Sequence, residues 1–324
     1  MKLDELLAEE IKTEHGNLIV PVSVVIPMFN AGKTITDALL SVNKQSYLPQ
    51  EVVIIDDGSS DNSLNVVNAF IQARKFDFKC IVKTQSNAGP ASARNKGVQS
   101  ATKPLIAFLD ADDEWLPTKI EKQYQLYLSL LVKGIDVGII DCYQMDKNII
   151  TNVDHLADKH KKGNHFKDFY RLNMVNGTSC VLIARQHLLE CGGFDESLHY
   201  SEDRWLWSNI CHQHEIHTVG ELLCIRYIGD SNIVSNPTKY FKYKKEFVVK
   251  FLEKYGPTMN KSEKMDFFFT SYYEFFRAFY LSGHYTEATQ VFSDMFKFNY
   301  RVIFYKKGLT SLRALNAWYK KHFN

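Results

Sequence analysis

The sequence predicts an α/β chain, a mostly parallel sheet flanked by helices, followed by an all-helical C-terminal region. Three observations predict it. Short, nearly continuous apolar runs recur through the first half of the chain, each followed by apolar residues at helical spacing. Beyond Asn236-Pro237 only helical periods remain. Charge and aromatic content change at the same place: residues 236–324 hold 16 Lys/Arg against 7 Asp/Glu, and 25 of the 43 aromatics. That region is therefore net +9 and the remainder net −7, so the formal +2 of the 324 residues is a cancellation.

The elements follow in order. Val22–Ile26 reads as a strand buried on both faces and ends at Pro27; Ile35, Ala38, Leu39 and Val42 then keep helical spacing. Val52–Ile55 repeats the strand pattern and runs into Asp56-Asp57-Gly58-Ser59, with an amphipathic helix on Leu64, Val67, Phe70 and Ile71. Cys80–Val82 is a third strand, followed by a loop and a helix entered at Pro90. Leu105–Leu109 is the fourth and delivers Asp110-Ala111-Asp112-Asp113. Strands separated by helices at this spacing imply right-handed parallel crossovers. Val137–Ile140, Ser179–Ala184 and Leu222–Tyr227 read as further strands, and the polar stretch 146–168 as a mobile loop. Gly192-Gly193 stops a short helix, and Ser201 reads as the N-cap of one starting at Glu202. Residues 240–255, 265–282, 284–298 and 309–322 fit aromatic-rich helices, and 278–288 resemble a single tetratricopeptide-type hairpin.

Composition excludes several classes. At 45% apolar and 23% charged the chain is neither disordered nor fibrous. No apolar run reaches the roughly 18 residues of a spanning helix, and the acidic opening MKLDELLAEE is no signal peptide. Six cysteines without a Cys-x-x-Cys pair read as reduced thiols of a cytoplasmic protein. Cys211, His212, His214 and His217 lack zinc-site spacing and read as a polar turn.

In an open parallel sheet, ligands bind beyond the carboxyl ends of the strands. Those ends here carry Pro27, Phe29 and Asn30; Asp56 and Asp57; Asn87, Gly89 and Arg94; and Asp110, Asp112 and Asp113. Three carboxylates in four residues repel one another unless a cation sits among them, and with a phosphate ligand they suit Mg²⁺ or Mn²⁺. Taken alone, a solvated acidic turn accounts for that cluster equally well; its place beside three other polar strand ends favours function.

The series Val24–Asn30, Ile55–Asp61, Asn87–Gly97 and Phe108–Asp113, then Gly192-Gly193-Phe194-Asp195-Glu196 and Glu202-Asp203, resembles the family 2 glycosyltransferases over roughly residues 20–232. The resemblance implies a GT-A fold that transfers one sugar, with inversion, from a nucleotide sugar, usually a UDP-sugar. It divides the α/β domain 21–235 into a nucleotide-binding half (21–113) and an acceptor half (114–235), between an N-terminal extension (1–20) and the helical region 236–324. Pro27, Phe29, Asn30, Asp57 and nearby Asp56 are expected around base and ribose, with Phe29 against the pyrimidine and Arg94 near the diphosphate. Asp110-Ala111-Asp112 matches the family's DxD motif; Asp112 and then Asp110 are the expected metal ligands, with Asp113 on sugar hydroxyls or behind the metal. Asp203, paired with Glu202, is the expected base. The sequence departs from the family at Arg226-Tyr227-Ile228, where Ile228 stands in place of a frequent histidine and leaves the third metal ligand open between Asp230 and solvent.

Residues 295–324 contain seven Lys/Arg, no Asp or Glu, and eight aromatics, a composition suited to the anionic inner face of the cytoplasmic membrane. Packing on the catalytic domain and a homo-oligomer interface are the alternatives; no nucleic-acid motif is present. The expected acceptor is a lipid-linked saccharide of O-antigen, capsule or exopolysaccharide assembly. A soluble or protein acceptor, or an inactive scaffold, stands as the alternative. A nucleotidyltransferase is excluded because Pro27–Lys33 lacks a glycine- and arginine-rich phosphate loop.

Overall fold

A computed structural model describes residues 3–13, 17–229, 237–281 and 283–298. The main sheet uses β1 (Leu18–Met28), β2 (Tyr47–Asp56), β3 (Lys79–Thr84), β4 (Leu105–Phe108), β5 (Asp113–Trp115), β6 (Val137–Asn148), β7 (Leu182–Ala184) and β8 (Glu215–Ile228). Their order across the sheet is β3-β2-β1-β4-β7-β6-β8-β5. β3, β2, β1 and β4 are mutually parallel, so Met28, Asp56, Thr84 and Phe108 end at one edge. β7 is antiparallel to both β4 and β6, whereas β6 and β8 are parallel. The chain therefore forms the α/β sheet, parallel through β3-β2-β1-β4, and the helical C-terminal region that the sequence pattern predicts, while β7 and β5 run antiparallel to their neighbours and make the whole sheet mixed.

β1 lies inside the sheet and is buried on both faces from Ile19 to Ile26, which is why it lacks alternation. Pro21 cannot donate to a ladder; it falls in the register irregularity between Val20 and Ser23. The helix Pro90–Ser100 packs closely on β1, because a Cβ on Gly97 would lie 2.3 Å from Val25 Cγ1. Only glycine brings this helix, which carries Arg94, so near the sheet. The helix Arg185–Glu190 ends where the glycine pair predicts. Gly193 N–H donates to Leu188 O at 2.8 Å and Gly192 N–H to Leu189 O at 3.1 Å, with Gly192 at φ +78.

Residues 146–168 are not the loop expected of them. β6 continues to Asn148, Asp154–Ala157 returns antiparallel along it, and Lys162–Gly163 pairs with Ile216–His217 of β8. A buried polar network holds this segment. Lys161 Nζ donates to Asp141 Oδ2 at 2.6 Å with both side chains fully buried, and Thr218 Oγ1 donates to Asp141 Oδ1 at 2.6 Å. Polar composition misleads here because the polar groups satisfy one another rather than water.

The described chain divides into two units by its contacts. One comprises Met1–Phe166, Met174–Ser197 and Glu202–Asp230; the other comprises Lys167–Asn173, Leu198–Ser201 and Ser231–Asn324. In the second unit, Pro237–Tyr255, Lys261–Leu281 and Tyr285–Phe298 are helices, and Gly283 at φ +79 makes the turn between the last two. Aromatic residues form its interior: Phe247, Phe251, Phe267 and Phe276 are buried, and Phe251 stacks on Phe267 at 4.6 Å. Lys167 and Arg171 belong to this unit through Glu263 at 2.8 Å and Asp266 at 2.7 Å. The expected helix 309–322 lies outside the described residues.

Candidate active site

The carboxyl ends of β1 and β2 are tied together by side chains. Asn30, at φ +50, receives Ser60 N–H on Oδ1 at 2.8 Å, while its own N–H donates to Ser59 Oγ at 3.0 Å. Phe29 is 50% exposed, so its ring is offered to solvent rather than to the core. Pro27 is half-buried at the end of β1. Both oxygens of buried Asp57 are engaged inside the protein: Oδ1 accepts from Gln85 Nε2 (2.8 Å) and Ala88 N–H (2.9 Å), Oδ2 from Gly89 N–H (2.8 Å). Asp57 therefore shapes the loop that launches the Arg94 helix. Asp56, also buried, receives only a long 3.4 Å bond from Ser59 N–H on Oδ1.

Arg94 is 6% exposed and bridges two acidic motifs 92 residues apart. NH2 contacts Asp110 Oδ1 at 2.8 Å and NH1 contacts Glu202 Oε1 at 3.4 Å. Burial by itself would lower the guanidinium pKa; Asp110 and then Glu202 outweigh it and hold the charge more firmly than usual. Its Nε is buried without a hydrogen-bond partner. Asn95, the next residue, clamps the glycine motif by accepting Phe194 N–H at 2.8 Å and donating to Phe194 O at 2.8 Å. Phe194 then packs edge-on to Phe108 (5.3 Å) and Trp207 (5.6 Å), with the Arg94 guanidinium 5.3 Å from its ring. β4, the Arg94 helix and the helix Glu202–Cys211 are thereby joined through one aromatic ring.

The acidic turn is differentiated. Asp110 is paired with Arg94, and its N–H donates to Ser179 Oγ at 3.0 Å. Ser179 in turn donates to Asp113 Oδ2 at 2.5 Å, and Asp113 is 3% exposed. Asp113 is thus enclosed where β5 begins, and burial, then Asp110, drives its pKa well up. Its carboxylate braces the turn rather than facing outward to sugar hydroxyls. Asp112 is exposed; partial desolvation, then Asp110, raises its pKa. Ala111 between them is buried. Arg226 contributes positive charge beside this turn and is itself held in two places by Asp146, at 3.0 and 2.6 Å.

Glu202 and Asp203 open their helix directly after Ser201, whose φ of +60 is left-handed, unlike the extended backbone of an ordinary N-cap. Burial, then the charge of Asp203, pushes Glu202 up to about 7, with Arg94 opposing. A helix N-terminus ordinarily lowers a carboxylate's pKa, and at Glu202 desolvation overrides that effect. Asp230, the alternative third metal ligand, lies outside the described residues, and Ile228 ends β8. Sequence reasoning missed Ser179, Asn95, Phe194 and Asp146 as supports. The only signal available was that Asn95 and Phe194 lie within two of the family motifs.

Comparison with known proteins identifies the family and the fold. The family model for Glycosyl transferase family 2 matches residues 23–193, more than half of the chain.

The chain belongs to glycosyltransferase family 2.

This glycosyltransferase is 29% identical over 235 residues to UDP-Glc:alpha-D-GlcNAc-diphosphoundecaprenol beta-1,3-glucosyltransferase WfgD of Escherichia coli, covering 72% of the chain and 87% of the relative. Another relative is matched over a shorter part: the 39% identity to the uncharacterized glycosyltransferase YibD of Escherichia coli K12 spans 37% of this chain and 33% of that one. Among solved structures, S. aureus TarS 1-349 in complex with UDP-GlcNAc superposes with TM-score 0.62 at 18% identity, covering 93% of this chain and 87% of that one. The mannosyltransferase PcManGT from Pyrobaculum calidifontis, in complex with GDP-Man and Mn²⁺, gives TM-score 0.55 at 16% identity over 94% and 87%. These likenesses establish the GT-A fold of the glycosyltransferase.

Proposed function

We propose that this glycosyltransferase moves one sugar, with inversion, from a UDP-sugar to a hydroxyl of a lipid-linked saccharide at a membrane surface. The observation that carries the reading is the Arg94 bridge, which joins the Asp110 turn to the Glu202-Asp203 pair. A donor-side acid and an acceptor-side acid are what a single displacement requires on opposite sides of the anomeric carbon.

In this reading, exposed Phe29 stacks on the uracil, Asp56 and the Asn30 loop hold the nucleoside, and Asp57 acts indirectly by fixing residues 85–89. Asp203 takes the proton of the acceptor hydroxyl as it attacks. Glu202, protonated for part of the time near neutrality, keeps the pair from carrying two full charges. The donor set fits Mn²⁺ or Mg²⁺. Asp112 is an exposed carboxylate whose charged form is disfavoured by partial desolvation and then by Asp110, which stands beside it. Among the described residues, no third side chain completes a closed ligand set at this turn, as suits an ion that shares its coordination with a diphosphate. When bound, such a cation supplies charge neutralisation for the departing nucleoside diphosphate.

Two features support a lipid-linked acceptor besides the name of WfgD. The hairpin after β6 exposes Ile149 (64%), Ile150 (56%) and Val153 (67%), where turns ordinarily place polar residues. The basic 295–324 stretch, most of it outside the described residues, has the composition of a membrane-surface segment. Among the described residues no helix is long and apolar enough to cross a membrane.

The test is UDP-sugar turnover with Mn²⁺ or Mg²⁺, using an undecaprenyl-diphosphate-linked saccharide acceptor and Asp112→Ala and Asp203→Asn variants. Both variants should lose at least ~100-fold in transfer, the range of a removed general base. Asp203→Asn should keep donor binding. Full transfer activity in both would overturn the site.

A further inference from the structure

At the opposite end of the sheet from the donor site, three residues distant in sequence converge. Asp136 precedes β6, His187 lies on the helix after β7, and His214 sits in the turn before β8. One oxygen or nitrogen from each lies within 4.8 Å of the other two. His214 Nδ1 is 2.8 Å from Asp136 Oδ2, and His187 Nε2 is 4.0 Å from Asp136 Oδ1. We propose that Asp136, His187 and His214 form a site for a zinc-class divalent transition-metal ion, separate from the cation of the transfer reaction.

Three observations carry this. First, the ligand chemistry is right: two imidazoles and one carboxylate are a borderline-soft N/N/O set that zinc prefers to Mg²⁺ or Ca²⁺. Second, His187 Nδ1 is buried without a hydrogen-bond partner, so no bond at that nitrogen fixes the ring's orientation. The two imidazoles instead lie face to face, centroids 3.9 Å apart and planes 18° apart. Third, space is made for the pair. Gly138 of β6 faces His214, and a Cβ there would lie 2.7 Å from His214 Cβ.

Stacked rings send their lone pairs along parallel planes, so binding requires them to fan apart about Cβ–Cγ until both nitrogens face Asp136. The ion replaces the proton now shared between His214 Nδ1 and Asp136 Oδ2, and that proton passes to Nε2 or to water. Access is open, since the Asp136 side chain is 68% exposed. An adjoining cavity of about 550 Å³ is lined by Glu5, Glu9, Asp136 and Glu190 against Lys103 and Arg185, an acidic balance that favours a cation. The ion would clamp three elements at the amino ends of β6 and β8, a structural role that the transfer step does not need.

The test uses the full chain without a histidine tag, dialysed against chelator and titrated calorimetrically with ZnCl₂. CoCl₂ provides a parallel visible-absorption readout. Wild type and Asp112→Ala should bind one equivalent of zinc at this site and show a Co²⁺ ligand-field band. Asp136→Asn, which changes a mostly exposed side chain, and His187→Asn should each weaken binding at least tenfold and lose the band. Thermal midpoints without metal show whether each variant is folded. No saturable zinc binding by wild type would overturn the proposal. So would zinc binding unchanged in folded Asp136→Asn, or lost only in Asp112→Ala, which would locate the ion in the donor site.

Discussion

Arg94 shows how much one residue determines here. It is buried against two carboxylates, so removing its charge leaves Asp110 and Glu202 facing each other without compensation. Arg94→Met should cost about 3–5 kcal/mol in stability, as expected when one partner of a buried ion pair is lost, and should abolish transfer. Arg94→Lys keeps the charge but lacks the two-armed geometry, and should fall between; urea midpoints and UDP-sugar hydrolysis measure both effects. Glu202 gives a second prediction. Its folded-state pKa of about 7 lies above the ordinary carboxylate value, so the folded protein holds a proton that the unfolded chain releases between about pH 4.5 and 7. The stability associated with this group is complete below that window and is lost as pH rises through it. The stability of Glu202→Gln relative to wild type should therefore increase from pH 5 to pH 8. A constant difference across that range would show that Glu202 does not titrate there.

The segment between β6 and Lys162–Gly163 makes the corresponding point for elements. Its residues carry little apolar periodicity, and the pattern-based expectation of a loop follows reasonably from that. The fold depends instead on Asp141, Lys161, Thr218 and Asn176, each satisfied by another; Asn176 Nδ2 donates to Cys142 O at 3.0 Å. Lys161→Met should destabilise the protein by about 3–5 kcal/mol through the unpaired buried Asp141, and should expose residues 154–176 to proteolysis. The double variant with Asp141→Leu should recover much of the loss, because a paired replacement leaves no orphan charge. By contrast, β1 to β4 and their helices are legible from sequence. β1, β2 and β4 are buried on both faces and have near-continuous apolar runs, whereas the edge strand β3 shows only the short Cys80–Val82 run, and the helices after β1 and β2 each have one apolar stripe.

At the scale of the whole molecule, the aromatic excess of the C-terminal region and the exposed apolar residues of the α/β unit have different uses. Within Pro237–Phe298 the rings build the interior of a small helical unit, with Phe247, Phe251, Phe267 and Phe276 enclosed. Those rings are not free to face lipid. In the α/β unit the exposed apolar side chains at the hairpin tip, Ile149, Ile150 and Val153, are available to a bilayer. Replacing all three by serine should reduce sedimentation with vesicles containing anionic lipid at least several-fold, while turnover of a water-soluble acceptor analogue stays unchanged. Unaltered sedimentation would remove the hairpin from the membrane contact.

The sequence by itself determined the family, the succession of strands and helices in the parallel part of the sheet and the set of polar strand ends, because each of these is written in local periodicity and short motifs. It also located the acidic turn and the acidic helix start as separate motifs. Only the tertiary structure decided what surrounds each acid. Asp57 is closed around a loop, Asp113 is sealed beneath Ser179, Asp112 is left open, and Asp110 and Glu202 meet on one guanidinium. The reason is physical: a carboxylate's role depends on its burial and its partners. Those partners (Ser179, Arg94, Phe194 and Asn95) come from elements that only the folded sheet brings together.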